Sequence, residues 1–140
     1  MKVGVVGLGA MGAGIAQLAV EAGLETVGRE VEAARGEAAR DRIAHFLARK
    51  VEKGQLTEDE RDAAVARLTV TTELSDLAVC DVVIEAAFEE LAVKHALFRE
   101  LESVVRPDAI LATNTSALSV TEIASVLARP ERALGMHFFN

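Results

Sequence analysis

"KVGVVGLGAMG", residues 2–12, sets a short apolar run rich in valine directly against three spaced glycines. The first half, "KVGVVG" (2–7), has the composition of a strand buried on both faces, without polar alternation. After it the hydrophobic period changes. Ile15, Leu18, Ala19 and Ala22 fall at i, i+3, i+4 and i+7, which predicts a helix over 10–22 with those residues on its inner face. Gly7, Gly9 and Gly12 therefore sit in G-x-G-x-x-G spacing between a strand and a helix. In that setting the first glycine permits the tight turn, the second lets a pyrophosphate approach the backbone, and the third lets helix and strand pack closely. The helix N-terminus adds unpaired N–H groups and a partial positive charge that suit phosphate. Leu8, Ala10 and Met11 complete this predicted dinucleotide cradle.

Outward from the loop, strand and helix patterns alternate. "LETVGRE" (24–30) reads as a second strand weakened by Gly28, and residues 31–53 as a long charged helix with Ile43, Phe46, Leu47 and Val51 on one side. "TEDE" (57–60) is a capping box that opens a helix to about Arg67. Strands follow at "LTVTT" (68–72), "DVVIEA" (81–86), "AILATN" (109–114) and "RALGMHFF" (132–139). Between them, Leu91, Leu97, Phe98, Leu101 and Val105 mark a helix ending before Pro107, and "SVTE" (119–122) is a second capping box. The pattern predicts an α/β fold: a Rossmann-like, doubly wound, mostly parallel sheet with an inserted helical pair at about 31–67, in one dinucleotide-binding domain over 1–140.

Glu30 lies 18 residues after Gly12, near the ~20-residue spacing of a carboxylate that holds the adenosine ribose hydroxyls. A carboxylate there repels a 2′-phosphate and favours NAD. Arg29 leaves NADP open, since a guanidinium at this place can receive that phosphate.

Composition narrows the function classes. The chain has 140 residues, 51% of them hydrophobic, enough to build a core. A net charge of −7 argues against nucleic-acid partners. Cys80 is the single cysteine, so neither an intramolecular disulfide nor a cysteine metal cluster is available, and a small buried thiol is expected. No apolar run reaches membrane-spanning length, and no cleavage-site pattern follows the first strand, so a cytoplasmic protein is expected. His45 and His95 lie in charged helical stretches and read as surface residues.

Four stretches taken together, "GLGAMG", "IEAAFEELAVKHALF", "ATNTSALSVTEIA" and "RPERALGMHFFN", resemble the NAD-binding domain of the 3-hydroxyacyl-CoA dehydrogenase family over essentially the whole chain. The resemblance implies NAD-dependent oxidation of an L-3-hydroxyacyl-CoA to the 3-ketoacyl-CoA, or its reverse, in fatty-acid or related β-oxidation metabolism. It implies that His137 is the general base, that Ser116 hydrogen-bonds the substrate oxygen, and that Asn140 orients the same region. Glu89 and Lys94 match positions at the ribose and nicotinamide side of the cofactor, Asn114 closes over the nicotinamide, and Lys53 matches a position that meets the phosphate of CoA. No metal is implied, and a homo-oligomer is expected.

The chain departs from the family in carrying Glu30 where an aspartate is usual, preceded by Gly28 and Arg29 in place of apolar residues. By the same resemblance, a glutamate that pairs with the histidine and a C-terminal helical domain are absent from these residues. The isolated chain is thus expected to bind NAD(H) and turn over poorly. Another NAD-dependent 3-hydroxyacid dehydrogenase and a stand-alone NAD-binding module remain as alternatives. Independently of the family, Glu89, Asn114, Ser116 and His137 all follow or end predicted strands, so they should converge on the sheet edge that holds Gly7 to Gly12.

Overall fold

The computed structural model describes residues 1–115 and 118–138. Six strands form one sheet: β1 (Lys2–Val6), β2 (Glu25–Arg29), β3 (Leu68–Thr71), β4 (Val82–Glu85), β5 (Ile110–Thr113) and β6 (Ala133–Gly135), in the order β3-β2-β1-β4-β5-β6. Every pairing is parallel. The order reverses direction between β1 and β4, which is the switch point where open sheets of this kind bind ligands.

Helices cover both faces. α1 (Ala10–Glu21), α2 (Ala33–Glu52) and α3 (Glu58–Ala66) pack with Val3, Val5 and Ile84 on one side. α4 (Leu91–Val104) and α5 (Val120–Ala124) seal the other around Val83, Phe98, Leu101 and Leu111. Full burial of each such Leu or Phe contributes about 1.5–3 kcal/mol, so both faces are strongly driven. Thr57 caps α3 as expected: its hydroxyl accepts from the Glu60 N–H while the Glu60 carboxylate accepts from the Thr57 N–H.

Several expectations need correction. The inner face of α1 is Gly12, Ala13, Ile15, Ala16, Ala19 and Val20, whereas Leu18 is 56% exposed and Ala22 lies outside the helix. Small residues face the sheet because they allow close approach. Phe46 of α2 is 43% exposed, leaving Ile43 and Leu47 as the buried pair. Before α5, Ser119 accepts from the Glu122 N–H, but no return bond from Glu122 to the Ser119 N–H is found among the described residues, so only half a box forms. The last strand is Ala133–Gly135 rather than 132–139. It pairs with β5, which itself ends at Thr113, and the Met136 N–H to Thr113 carbonyl bond of 2.9 Å closes the ladder. A 3-10 turn at Leu74–Val79, unmarked by any period, seats the fully buried Leu77.

The register aligns one row across the sheet: Thr71, Arg29, Val6, Glu85, Thr113 and Gly135 are consecutive neighbours at the C-terminal edge. The residues just past that row build the site.

Candidate active site

The three glycines have separable roles in the structure. Gly7 takes a φ of 90°, the left-handed region, and a Cβ there would lie 2.8 Å from the Ala86 carbonyl oxygen. A Cβ on Gly12 would lie 1.7 Å from the Gly7 carbonyl oxygen, so only glycine lets α1 start this close to β1. Nothing lies within 4 Å of the Cβ position at Gly9, which is also the residue that opens α1. That open space beside a helix N-terminus is a cradle for a pyrophosphate.

Glu30 stands at the end of β2 and turns back onto the loop. Its carboxylate accepts from the Leu8 N–H at 2.9 Å and the Val31 N–H at 3.0 Å. Gly28, which weakens β2 as a strand, has a positive role. A Cβ there would meet the Leu8 side chain at 2.9 Å, so the glycine lets the loop lie flat on β2. Arg29 donates from Nε to the Thr72 carbonyl at 3.0 Å. A cavity of about 440 Å³ opens over this end, lined by Gly7, Gly9, Glu30, Arg35, Arg42 and Phe88 among others. Its size suits a small-molecule or cofactor site. Phe88, 75% exposed, and Val31, 68% exposed, give it an apolar rim that a planar base would cover.

Across the switch point, the ends of β4 and β5 carry a buried polar network. Glu85 has no exposed surface, and Lys94 has none either. The Lys94 ammonium lies 2.5 Å from one Glu85 oxygen and 3.1 Å from Glu89. Glu85 also accepts from the Thr113 hydroxyl and the Ala87 N–H, both at 2.7 Å. Glu89 accepts from the Thr115 hydroxyl at 2.7 Å, and the same hydroxyl oxygen accepts from the Leu118 N–H at 3.0 Å. Lys94 is thus a buried counter-ion and not an exposed lysine on the polar side of its helix. Breaking one side of such a buried pair typically costs roughly 3–5 kcal/mol.

Asn114 ties the next segment in place. Its side-chain oxygen accepts from the Phe138 N–H at 3.0 Å, and its own N–H donates to the Glu85 carbonyl at 2.8 Å. His137, exposed on the segment past β6, directly precedes the residue that Asn114 holds. Glu89, Asn114 and His137 share the sheet edge of the glycine loop, as the strand-end placement predicts. Ser116 and Asn140 lie outside the described residues. Lys53 is the exposed C-cap of α2, outside the cavity lining, and the structure does not bring it to the other site residues. His45 is exposed; His95 is half-buried, with Nε2 2.6 Å from the Glu122 carbonyl.

Cys80 and Asp81, both with displaced pKa values, lie at the opposite edge. Burial, followed by the nearby Asp81 carboxylate, pushes the Cys80 thiol up to about 11. The Lys2 N–H and then the Arg106 guanidinium hold the Asp81 carboxyl below its usual range. They tie the start of β4 to the start of β1 and touch no site residue. Among the described residues no group of three or more His, Cys, Asp or Glu could hold a metal.

Residues 2–140 match the sequence family described as "3-hydroxyacyl-CoA dehydrogenase, NAD binding domain". The chain belongs to this family. Its members bind NAD, and the glycine cradle, the empty space at Gly9 and the Glu30 carboxylate fit that cofactor. The chain is 48% identical over 140 residues to a 3-hydroxybutyryl-CoA dehydrogenase of Mycobacterium tuberculosis, covering 99% of this chain and 49% of that protein. The crystal structure of (S)-3-hydroxybutyryl-CoA dehydrogenase from Ralstonia eutropha superposes with a TM-score of 0.96 at 39% identity, over 99% of this chain and 49% of the other. That of a 3-hydroxybutyryl-CoA dehydrogenase from Escherichia coli gives 0.98 at 42% identity, over 100% of this chain and 30% of the other. The chain spans about half the length of the curated relatives it matches first. No helix among the described residues is long and apolar enough to cross a membrane.

The sequence reading of this NAD-binding domain missed Glu85, Thr113 and Thr115. One signal was present: an acid inside the apolar "DVVIEA" run must find a partner when its strand is buried. The arginines at 35 and 42 carried no such signal, because a charged helix has many.

Proposed function

We propose that the protein acts in NAD-dependent oxidation of an L-3-hydroxyacyl-CoA to the 3-ketoacyl-CoA, or the reverse, with this chain supplying the cofactor site and the proton-transfer group. The observation that supports it most is the gathering of Glu89, Asn114 and the His137 segment at the ends of β4, β5 and β6, beside the glycine loop. NAD, when bound, accepts or returns the hydride. The protein's own residues do the rest. The His137 imidazole takes the hydroxyl proton of the substrate, a task suited to a group whose ordinary pKa is near 6.5. Asn114 holds that segment through the Phe138 N–H. Ser116 bonds the substrate oxygen, and Asn140 orients the same region. Glu30 receives the adenosine ribose, Glu89 the other ribose, and Lys53 the phosphate of CoA. The setting is cytoplasmic acyl-CoA metabolism in a homo-oligomer.

Two measurements test this. NADH fluorescence titration of the chain should show saturable binding. Grafting the chain onto the C-terminal half of the Mycobacterium tuberculosis relative should give acetoacetyl-CoA-dependent oxidation of NADH. His137→Gln in that graft should lower turnover by roughly 10²–10⁴-fold, the usual weight of a general acid–base group. Turnover untouched by His137→Gln removes the assignment.

A further inference from the structure

We infer that Glu85 is a positioning residue: its buried carboxylate holds the Lys94 ammonium and so sets the carboxylate of Glu89 at the nicotinamide half of the cofactor groove. The inference rests on the cofactor reading above. In doubly wound sheets each half of a dinucleotide lies over one half of the sheet. Glu30 and the glycine loop take the adenosine half, on β1 and β2. Glu85 and Glu89 belong to the half built on β4 and β5.

The distances show how the charges are shared. Lys94 is 2.5 Å from Glu85 and 3.1 Å from Glu89, so Glu85 is its nearer counter-ion. Glu85 is fixed on three sides, by the Thr113 hydroxyl, the Ala87 N–H and Lys94. It cannot follow if Lys94 moves. Glu89, by contrast, has a side chain 39% exposed at the rim. Two carboxylates thus share one ammonium, and the buried one takes the larger part. The outer carboxylate stands at the rim, where a ribose hydroxyl would donate.

Neutralising Glu85 leaves Glu89 as the one carboxylate paired with Lys94 among the described residues. The fully buried ammonium then draws Glu89 inward, away from the groove. The fold should survive Glu85→Gln, because Lys94 keeps one carboxylate and the amide can still bond Thr113 and Ala87. A role confined to stability would weaken every ligand together. A positioning role acts only on the nicotinamide half.

The test compares NADH with ADP, which shares the adenosine and the pyrophosphate but lacks the second ribose and the nicotinamide attached to it. Both are titrated calorimetrically against the chain, with thermal unfolding in parallel. Glu85→Gln should weaken NADH by roughly tenfold and ADP by about threefold or less, because only NADH carries the ribose hydroxyls that Glu89 receives. Thr113→Val leaves every charge in place and removes one of the three bonds that fix Glu85. It should shift the NADH to ADP ratio in the same direction by about two- to threefold, which keeps the inference testable if Glu85→Gln does not fold. Equal losses for both ligands, or no loss for either, overturn it. If the unaltered chain binds neither ligand, the cofactor reading itself falls.

Discussion

Asn114 and Phe138 are joined by a 3.0 Å hydrogen bond from the Phe138 N–H to the Asn114 side-chain oxygen, 24 residues apart in sequence. The bond carries the segment of His137 across the end of β5, just where the β6 ladder stops. An amide side chain here is a substitute strand: it supplies the acceptor that a longer β5 would have offered.

Asn114→Ala should therefore release the His137 segment without unfolding the sheet. A single hydrogen bond of this kind is worth about 1 kcal/mol, or roughly a fivefold rise in local opening. Amide exchange at Phe138 should speed up by that factor while Val5 and Val83 stay protected. Unchanged exchange at Phe138 would show that other contacts hold the segment.

Gly9 and Gly12 should separate binding from stability. The Cβ of Gly9→Ala enters open space, so the melting temperature should hardly move, yet NADH affinity should fall by tenfold or more, about 1.4 kcal/mol, as the methyl meets the pyrophosphate. Gly12→Ala drives a methyl to 1.7 Å from a carbonyl oxygen and should destabilise by several kcal/mol, in the range of ~1–3 or beyond for overpacking. Calorimetric melting with an NADH titration reads both. Normal NADH affinity in Gly9→Ala would place the pyrophosphate elsewhere.

Glu30→Gln tests coenzyme choice. Removing the charge while keeping the shape should preserve the acceptor for the Leu8 N–H and lower discrimination against NADPH by roughly tenfold, since Arg29, Arg35 and Arg42 line the same cavity. The ratio of NADH to NADPH dissociation constants is the readout. A ratio that stays put means Glu30 does not choose the coenzyme.

Cys80 gives a pH prediction. Its thiol is raised from an ordinary 9.0 to about 11 in the folded chain. A raised folded-state pKa contributes stability below the unfolded value, and that stability is lost as pH climbs from about 9 to about 11. At ~1.36 kcal/mol per unit, the loss approaches roughly 2–3 kcal/mol. Denaturant melts of the native chain and of Cys80→Ala should diverge in slope across that window and run parallel below it. The native thiol should also resist alkylation at neutral pH until the chain unfolds.

Much of this was legible in residue order alone. The glycine spacing, the valine run before it and the alternation of periods specify a dinucleotide-binding α/β domain, because turn sterics and side-chain periodicity are local properties. Thr57 and Glu60 specify the start of α3 for the same reason. Where patterns misled, the cause was tertiary. Leu18 and Phe46 fit the helical period and yet face solvent, since the width of a buried stripe depends on what packs against it. Only the folded sheet puts Glu85 and Thr113 side by side, or makes Lys94 a buried counter-ion, or sets Asn114 under Phe138. Those relationships join residues 9 to 28 positions apart, and the register of neighbouring strands decides them. Short-range sterics chose the elements and the cofactor loop; long-range pairing, which no local pattern encodes, decided which charges meet.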